Sequence, residues 1–331
     1  MLVDIANEQY LNNNEVGIIV INKNVDNTLQ DRIATGIKFY RLNRDRSSKS
    51  ILPVIKLIFL LRTTFKADVI HIHDPKIGKL IRLISRTPLV LTVHNTNMDL
   101  KPILGYKKIF AISNTVKSDV ESRSNLKCKV IYNGIRIKDI KMKEALNVPD
   151  VYKIILVKRL EHRAKGHDLL LKAMDIMINK KGIKNIRLCL AGEGISRGYI
   201  QELINELKLQ EYIFLLGNKS REWVYENLNT YDLFIHPSRF EGFGLTVVEA
   251  MAAKVPVIAS NIEGPAEILE NGRYGLMFEN NNYEDLALRI EDAMRLYENG
   301  DIIKIVESAF QHCITNFNIT RTAREYCESY L

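Results

Sequence analysis

The chain has 331 residues, 46% of them hydrophobic, and a formal net charge of +8. That length is too great for one ordinary core and suits two domains. The positive balance favours anionic partners. The absence of an arginine-rich tail, of aromatic-basic interleaving and of a helix-turn-helix pattern argues against nucleic acid.

In chain order, Met1–Leu11 reads as a helix, and short β-branched runs follow, each succeeded by a helical pattern. In the first half they are Val16–Ile21, Ile37–Leu42, Ala67–His73, Pro88–His94, Lys108–Ser113 and Lys129–Tyr132. In the second they are Lys153–Leu160, Ile186–Ala191, Tyr212–Leu216, Leu233–His236, Val255–Ala259 and Gly275–Phe278. Near-continuous apolar strands alternating with helices predict an α/β protein: two doubly wound parallel sheets, each covered on both faces. Ligands then bind at the carboxyl ends of the strands, in a cleft between the two domains. Pro149 and Asp150 break the helical pattern, so the domains are expected at 1–148 and 149–312. The tail, 313–331, reads as a helix that can pack back on the first domain.

Ile51–Leu61 is the longest apolar stretch, too short to span a bilayer. Arg41, Arg44, Arg46 and Lys49 precede it, and Arg62 and Lys66 follow. Such a segment predicts an amphipathic helix that packs on its own sheet, lies on a membrane surface, or does both. Cys128, Cys189, Cys313 and Cys327 form no Cys-x-x-Cys pair, and no apolar leader opens the chain, which points to a reduced, cytoplasmic protein.

The most informative segment runs from Phe240 to Ala252, after the strand Leu233–His236. Gly242 and Gly244, around Phe243, permit a tight turn. A helix starting at Leu245 aims its N–H groups and dipole at that turn, which suits a diphosphate. Glu249, one turn into the helix, can accept two hydrogen bonds from a ribose diol. Glu241, before the turn, can reach a sugar on the other side of the diphosphate. The bland alternative is a glycine-rich turn with two solvated glutamates, but the coincidence of glycines, glutamates and a preceding strand favours function.

This segment resembles the paired-glutamate motif of retaining glycosyltransferases of family 4, which have the GT-B fold of two facing Rossmann-like domains. Val157-Lys158-Arg159-Leu160 with Lys165-Gly166, Ala191-Gly192-Glu193-Gly194, Leu216-Gly217, Tyr231–Ser238 and Gly264-Pro265-Ala266-Glu267 resemble further motifs of that family. In the first half Thr92-Val93-His94, Ala111-Ile112-Ser113 and Val130–Gly134 do so. The resemblance implies that Arg159 and Lys165 hold the donor diphosphate and stabilise the leaving nucleotide. It gives Glu241 the sugar hydroxyls and Glu249 the ribose. Gly194 would form a turn, the backbone near Gly217 would read the base, and His94 would position the sugar from the opposite domain.

The same resemblance implies a UDP- or GDP-linked donor, a hexose-type sugar and retention of anomeric configuration. It implies no cofactor and no metal, because the two cations replace a divalent ion. The acceptor would be a cell-surface glycan of the lipopolysaccharide or capsule type, or a lipid-linked intermediate. A nucleotide-sugar epimerase on the same fold and a non-catalytic nucleotide-sugar-binding protein are the competing readings. His71-Ile72-His73-Asp74 looks like a metal cluster, but alternate strand residues share one face and nothing of matched spacing completes it. His162 and His167, on either side of Lys165, likewise lack a glutamate at metalloprotease spacing.

Two departures stand out. Lys158 replaces the usual glycine, so it either crowds the diphosphate or adds a charge to it. Met1–Leu11 corresponds to the family's first helix rather than its first strand. The first domain is therefore expected to lack a central strand, as an N-terminally truncated form would, leaving Val16–Ile21 separated from Ala67–His73.

Overall fold

The structure, a computed structural model, describes residues 1–23, 28–45, 50–99, 103 and 105–330. Arg46 and Lys49, part of the expected basic flank, lie outside the described residues. The chain divides into two compact units, Met1–Ile135 with Asn318–Leu331, and Arg136–Phe317.

In the first unit, β1 (Gly17–Asn22) and β2 (Lys38–Arg44) form a parallel pair. A separate parallel sheet has the order β3 (Ile70–Ile72), β4 (Leu89–Val93), β5 (Lys108–Ala111), β6 (Cys128–Val130). No described strand joins the two sheets, which is the gap expected from the sequence. The Leu2–Leu11 helix serves both: Ile5 joins the core of Val90, Phe110 and Ile131, while Ala6 joins Ile18 and Ile37. The strand expected over Ala67–His73 is shorter, Ile70–Ile72. It pairs only with β4 among the described residues, so little ladder supports its ends.

The final helix, Ile319–Tyr330, packs in the first unit through Ile319, Ala323 and Tyr326. Its Tyr330 hydroxyl hydrogen-bonds His71 Nδ1 at 2.9 Å and accepts from Gln9 Nε2 at 3.0 Å. Cys313 belongs instead to the second unit, on the Ile302–Asn316 helix. The stretch 136–148 also goes with the second unit, so the division falls earlier than the sequence break at Pro149. The reason is local: Lys141 N donates to the Tyr225 carbonyl at 2.9 Å, and Lys143 Nζ reaches Asp232 Oδ1 at 3.1 Å.

The second unit has one six-stranded parallel sheet, β12-β11-β10-β7-β8-β9. The strands are β7 (Tyr152–Val157), β8 (Ile186–Ala191), β9 (Ile213–Gly217), β10 (Leu233–His236), β11 (Val257–Ser260) and β12 (Leu276–Phe278). Both faces are covered, and Ile154, Ile155, Leu233, Phe234 and Ile235 are fully buried. That double burial is why the strands read as continuous apolar runs rather than alternating ones. From β7 the chain builds outward to β9, then returns to place β10 on the other side of β7. The strand order therefore reverses between β7 and β10, where an open α/β sheet leaves a crevice at the carboxyl ends.

Candidate active site

That reversal brings together segments far apart in sequence. Leu233 and Phe234 pair with Ile154 and Ile155, so the residues after Val157 emerge beside those after His236. The chain leaving β7 turns through the short His162–Lys165 helix. Gly166 ends it at φ 67°, and a Cβ at that position would stand 1.8 Å from the Pro237 carbonyl oxygen. A side chain is excluded there, and the Lys165 turn sits directly against the loop after β10. Arg239 fastens the same loops: its guanidinium donates to Asp168 at 2.9 and 2.8 Å and to the His162 carbonyl at 2.7 Å.

The turn after β10 takes the expected form. Gly244 has φ 109° and ψ 57°, a left-handed conformation that favours glycine, and the Leu245–Ala252 helix follows at once. No side chain caps this helix start. Its first N–H groups and its positive dipole end are therefore available to an anion. Thr246 Oγ1 is buried there with no hydrogen-bond partner among the described residues. Phe243 is buried and meets Phe317 edge-on at 5.8 Å, which pins the turn from below. Gly242 and Leu245 are half-buried on either side.

Charge concentrates on Glu241. Its Oε2 lies 2.6 Å from Lys158 Nζ, 3.1 Å from Lys165 Nζ and 3.7 Å from His236 Nε2. Burial pushes the Glu241 carboxyl up, but the Lys158 and Lys165 ammonium groups outweigh it and hold the pKa below the usual carboxylate value. Burial also pulls the Lys158 ammonium down, against the opposing pull of Glu241. His236 is fully buried with both ring nitrogens unpartnered among the described residues, and burial keeps it neutral. The carboxylate is thus ionised and held by two lysines. The Lys158 contact was not legible as such: the sequence marked Lys158 only as a departure from glycine, and the strand pairing supplies its partner.

The other site residues take distinct places. Glu249 is half-buried in the Leu245–Ala252 helix and adds its charge to the surroundings of Lys158. Arg159 is 70% exposed and bonded to Glu161 at 3.0 Å, so it does not touch Glu241 in this arrangement. It lines a cavity of about 430 Å³ together with Lys158, Gly192, Glu193, Asn218 and Lys219. Gly217 ends β9 beside this cavity, its carbonyl accepting from Gly192 N at 2.8 Å. Gly194 follows in the loop that Leu160 N ties down through the Glu193 carbonyl at 2.9 Å.

His94 stands in the first unit, just after β4, with Nε2 3.0 Å from His73 Nδ1. The His71 and His73 rings stack at 4.4 Å, as residues on one strand face can. Burial first, and the neighbouring His94 second, pull His73 down to about 3. Among the described residues no group of three or more His, Cys, Asp or Glu side chains is arranged to hold a metal.

A glycine turn into an uncapped helix, with cations at the reversal point of a parallel sheet, is the arrangement of a nucleotide-binding α/β unit. Residues 138–304 match the family described as Glycosyl transferases group 1, and residues 3–139 match Glycosyltransferase Family 4. The chain belongs to the group 1 glycosyl transferases, with two Rossmann-like units of the GT-B type. It is 29% identical, over 68% of its length and 66% of the relative's, to an uncharacterized glycosyltransferase of Methanocaldococcus jannaschii. It is 28% identical to the N-acetylgalactosamine-N,N'-diacetylbacillosaminyl-diphospho-undecaprenol 4-alpha-N-acetylgalactosaminyltransferase of Campylobacter jejuni, over 58% of this chain and 55% of that one. The match thus spans about two thirds of the first relative and little more than half of the second. A crystal structure of a glycosyltransferase from Rickettsia africae superposes with a TM-score of 0.84 at 26% identity, covering 99% of this chain and 92% of that one. Anabaena HepE, solved with UDP and glucose, has the same fold at a TM-score of 0.77 and 22% identity, covering 99% and 94%.

Proposed function

We propose that this chain transfers a hexose-type sugar from a UDP- or GDP-linked donor to a glycan or lipid-linked acceptor, with retention of anomeric configuration. The observation that carries the reading is the ionised Glu241, held by Lys158 and Lys165 beside the Gly244 turn and the open start of the Leu245–Ala252 helix. The N–H groups of that helix and the Lys165 ammonium would receive the diphosphate and neutralise the departing nucleotide. Arg159 would swing from Glu161 to join them. Glu241 would accept hydrogen bonds from the sugar and Glu249 from the ribose, while the cavity beside Gly217 and Gly194 would take the base. No metal is required in this scheme, because lysine and arginine supply the positive charge.

A lipid-linked acceptor is favoured over a soluble one by the Leu52–Phe59 helix. It buries Leu57 but leaves Leu52, Ile55 and Phe59 more than half exposed, close to Lys56 and Arg62. An apolar row beside cations suits the anionic inner face of a membrane. No helix of the described residues is long and apolar enough to cross one. The acceptor of the Campylobacter relative, a diphospho-undecaprenol by its name, is of this kind.

One experiment tests both parts. The chain is incubated with UDP- and GDP-sugars and a lipid-linked acceptor in anionic vesicles. Transfer with retained configuration and sedimentation with the vesicles are expected. Free epimerised sugar without transfer, or nucleotide binding with no turnover, would replace the transferase reading by one of its competitors. Transfer by a chain that stays in the supernatant would remove the membrane part alone.

A further inference from the structure

Both lysines at Glu241 reach the same oxygen. Lys158 Nζ is 2.6 Å and Lys165 Nζ 3.1 Å from Oε2. The three side chains are only 10%, 18% and 18% exposed, in the order Lys158, Lys165 and Glu241. The Lys158 backbone is anchored too, its N–H donating to the Ala191 carbonyl at 3.0 Å. An ammonium group that turns toward a diphosphate shares its charge with the phosphate oxygens and weakens its hold on the carboxylate. With glycine at 158, Lys165 would be the remaining lysine partner of Glu241. Its departure would leave a mostly buried carboxylate with no cation paired to it among the described residues and the neutral His236 ring at 3.7 Å, which is strongly unfavourable.

We propose that Lys158 is a positioning residue: it keeps Glu241 paired and oriented, so that Lys165 can leave that carboxylate for the donor diphosphate. The inference rests on the donor-site reading above. It divides the work of the two cations, one holding the sugar-binding carboxylate and the other serving the leaving nucleotide. The shorter contact and deeper burial of Lys158 decide which lysine stays.

Calorimetric titration with UDP and GDP tests this, because neither nucleotide carries the sugar that Glu241 would bind. Lys158→Met should weaken binding roughly tenfold, the size expected when a charge-assisted hydrogen bond must be broken without replacement. Adding Glu241→Gln to that variant removes the carboxylate that traps Lys165 and should restore affinity to about the wild-type level. If Lys158→Met binds like the wild type, or if the double variant stays weak, the proposal is overturned. Should Lys158→Met not fold, the double variant is compared with Glu241→Gln alone. Equal affinities support the proposal. Tighter binding by Glu241→Gln would assign Lys158 to the phosphate itself and overturn it. A wild-type chain that binds neither nucleotide defeats the donor-site reading instead, and this inference with it.

Discussion

The two units solve the same packing problem differently. In the second, β7 and β10 lie at the centre of an unbroken sheet, and Ile154, Ile155, Leu233 and Phe234 have no exposure at all. In the first, β1 and β3 belong to separate sheets, and Ile19 and Ile70 remain half-buried. There the Leu2–Leu11 and Ile319–Tyr330 helices take over part of the joining. Ile5, Ala323 and Tyr326 pack on one sheet, and Tyr330 links His71 to Gln9 by hydrogen bonds. A continuous sheet fixes loop ends through its ladder, whereas packed helices fix them through side chains. The Glu241 site belongs to the more constrained of the two.

The largest effect that sharpens this contrast is chemical. Glu241→Ala and Lys165→Ala should each lower turnover by a factor on the order of 10² to 10³, the usual loss when a pre-placed charge is removed. Lys165→Ala leaves Glu241 paired with Lys158 and should unfold close to the wild type, whereas Glu241→Ala leaves the Lys158 ammonium, only 10% exposed, without its carboxylate and should lose stability while remaining folded. Undiminished turnover in both would detach the chemistry from this unit.

A smaller effect compares the cores. Ile235→Ala in β10 should cost roughly 3 kcal/mol, because the surrounding sheet cannot close the cavity. Ile18→Ala in β1, next to half-buried neighbours that can relax, should cost only about 1 to 2 kcal/mol. Native-state hydrogen exchange reads each unit separately and avoids assuming one unfolding transition. A loss at Ile18 equal to that at Ile235 would erase the distinction between the sheets.

Much of the second unit was legible in the sequence. Ile186–Ala191 and Leu233–His236 are strands at the expected residues, because burial on both faces makes such runs wholly apolar. The Gly244 turn and its helix were legible through residue types that the backbone requires. Strand ends in the first unit were less so: β3 stops short of His73, where a lone neighbour supports little ladder. The pairing of Lys158 with Glu241 depends on β7 lying beside β10, and no local pattern encodes that adjacency. The Arg239–Asp168 clamp and the His73–His94 contact arise in the same way, from elements joined only in three dimensions.

The most direct measurement is a crystal structure of this chain with bound UDP or GDP. The diphosphate should lie within about 3 Å of the N–H groups at the start of the Leu245–Ala252 helix and of Lys165 Nζ, with the ribose on Glu249. A nucleotide seated elsewhere, or one that leaves Lys165 and this helix start untouched, would contradict the account.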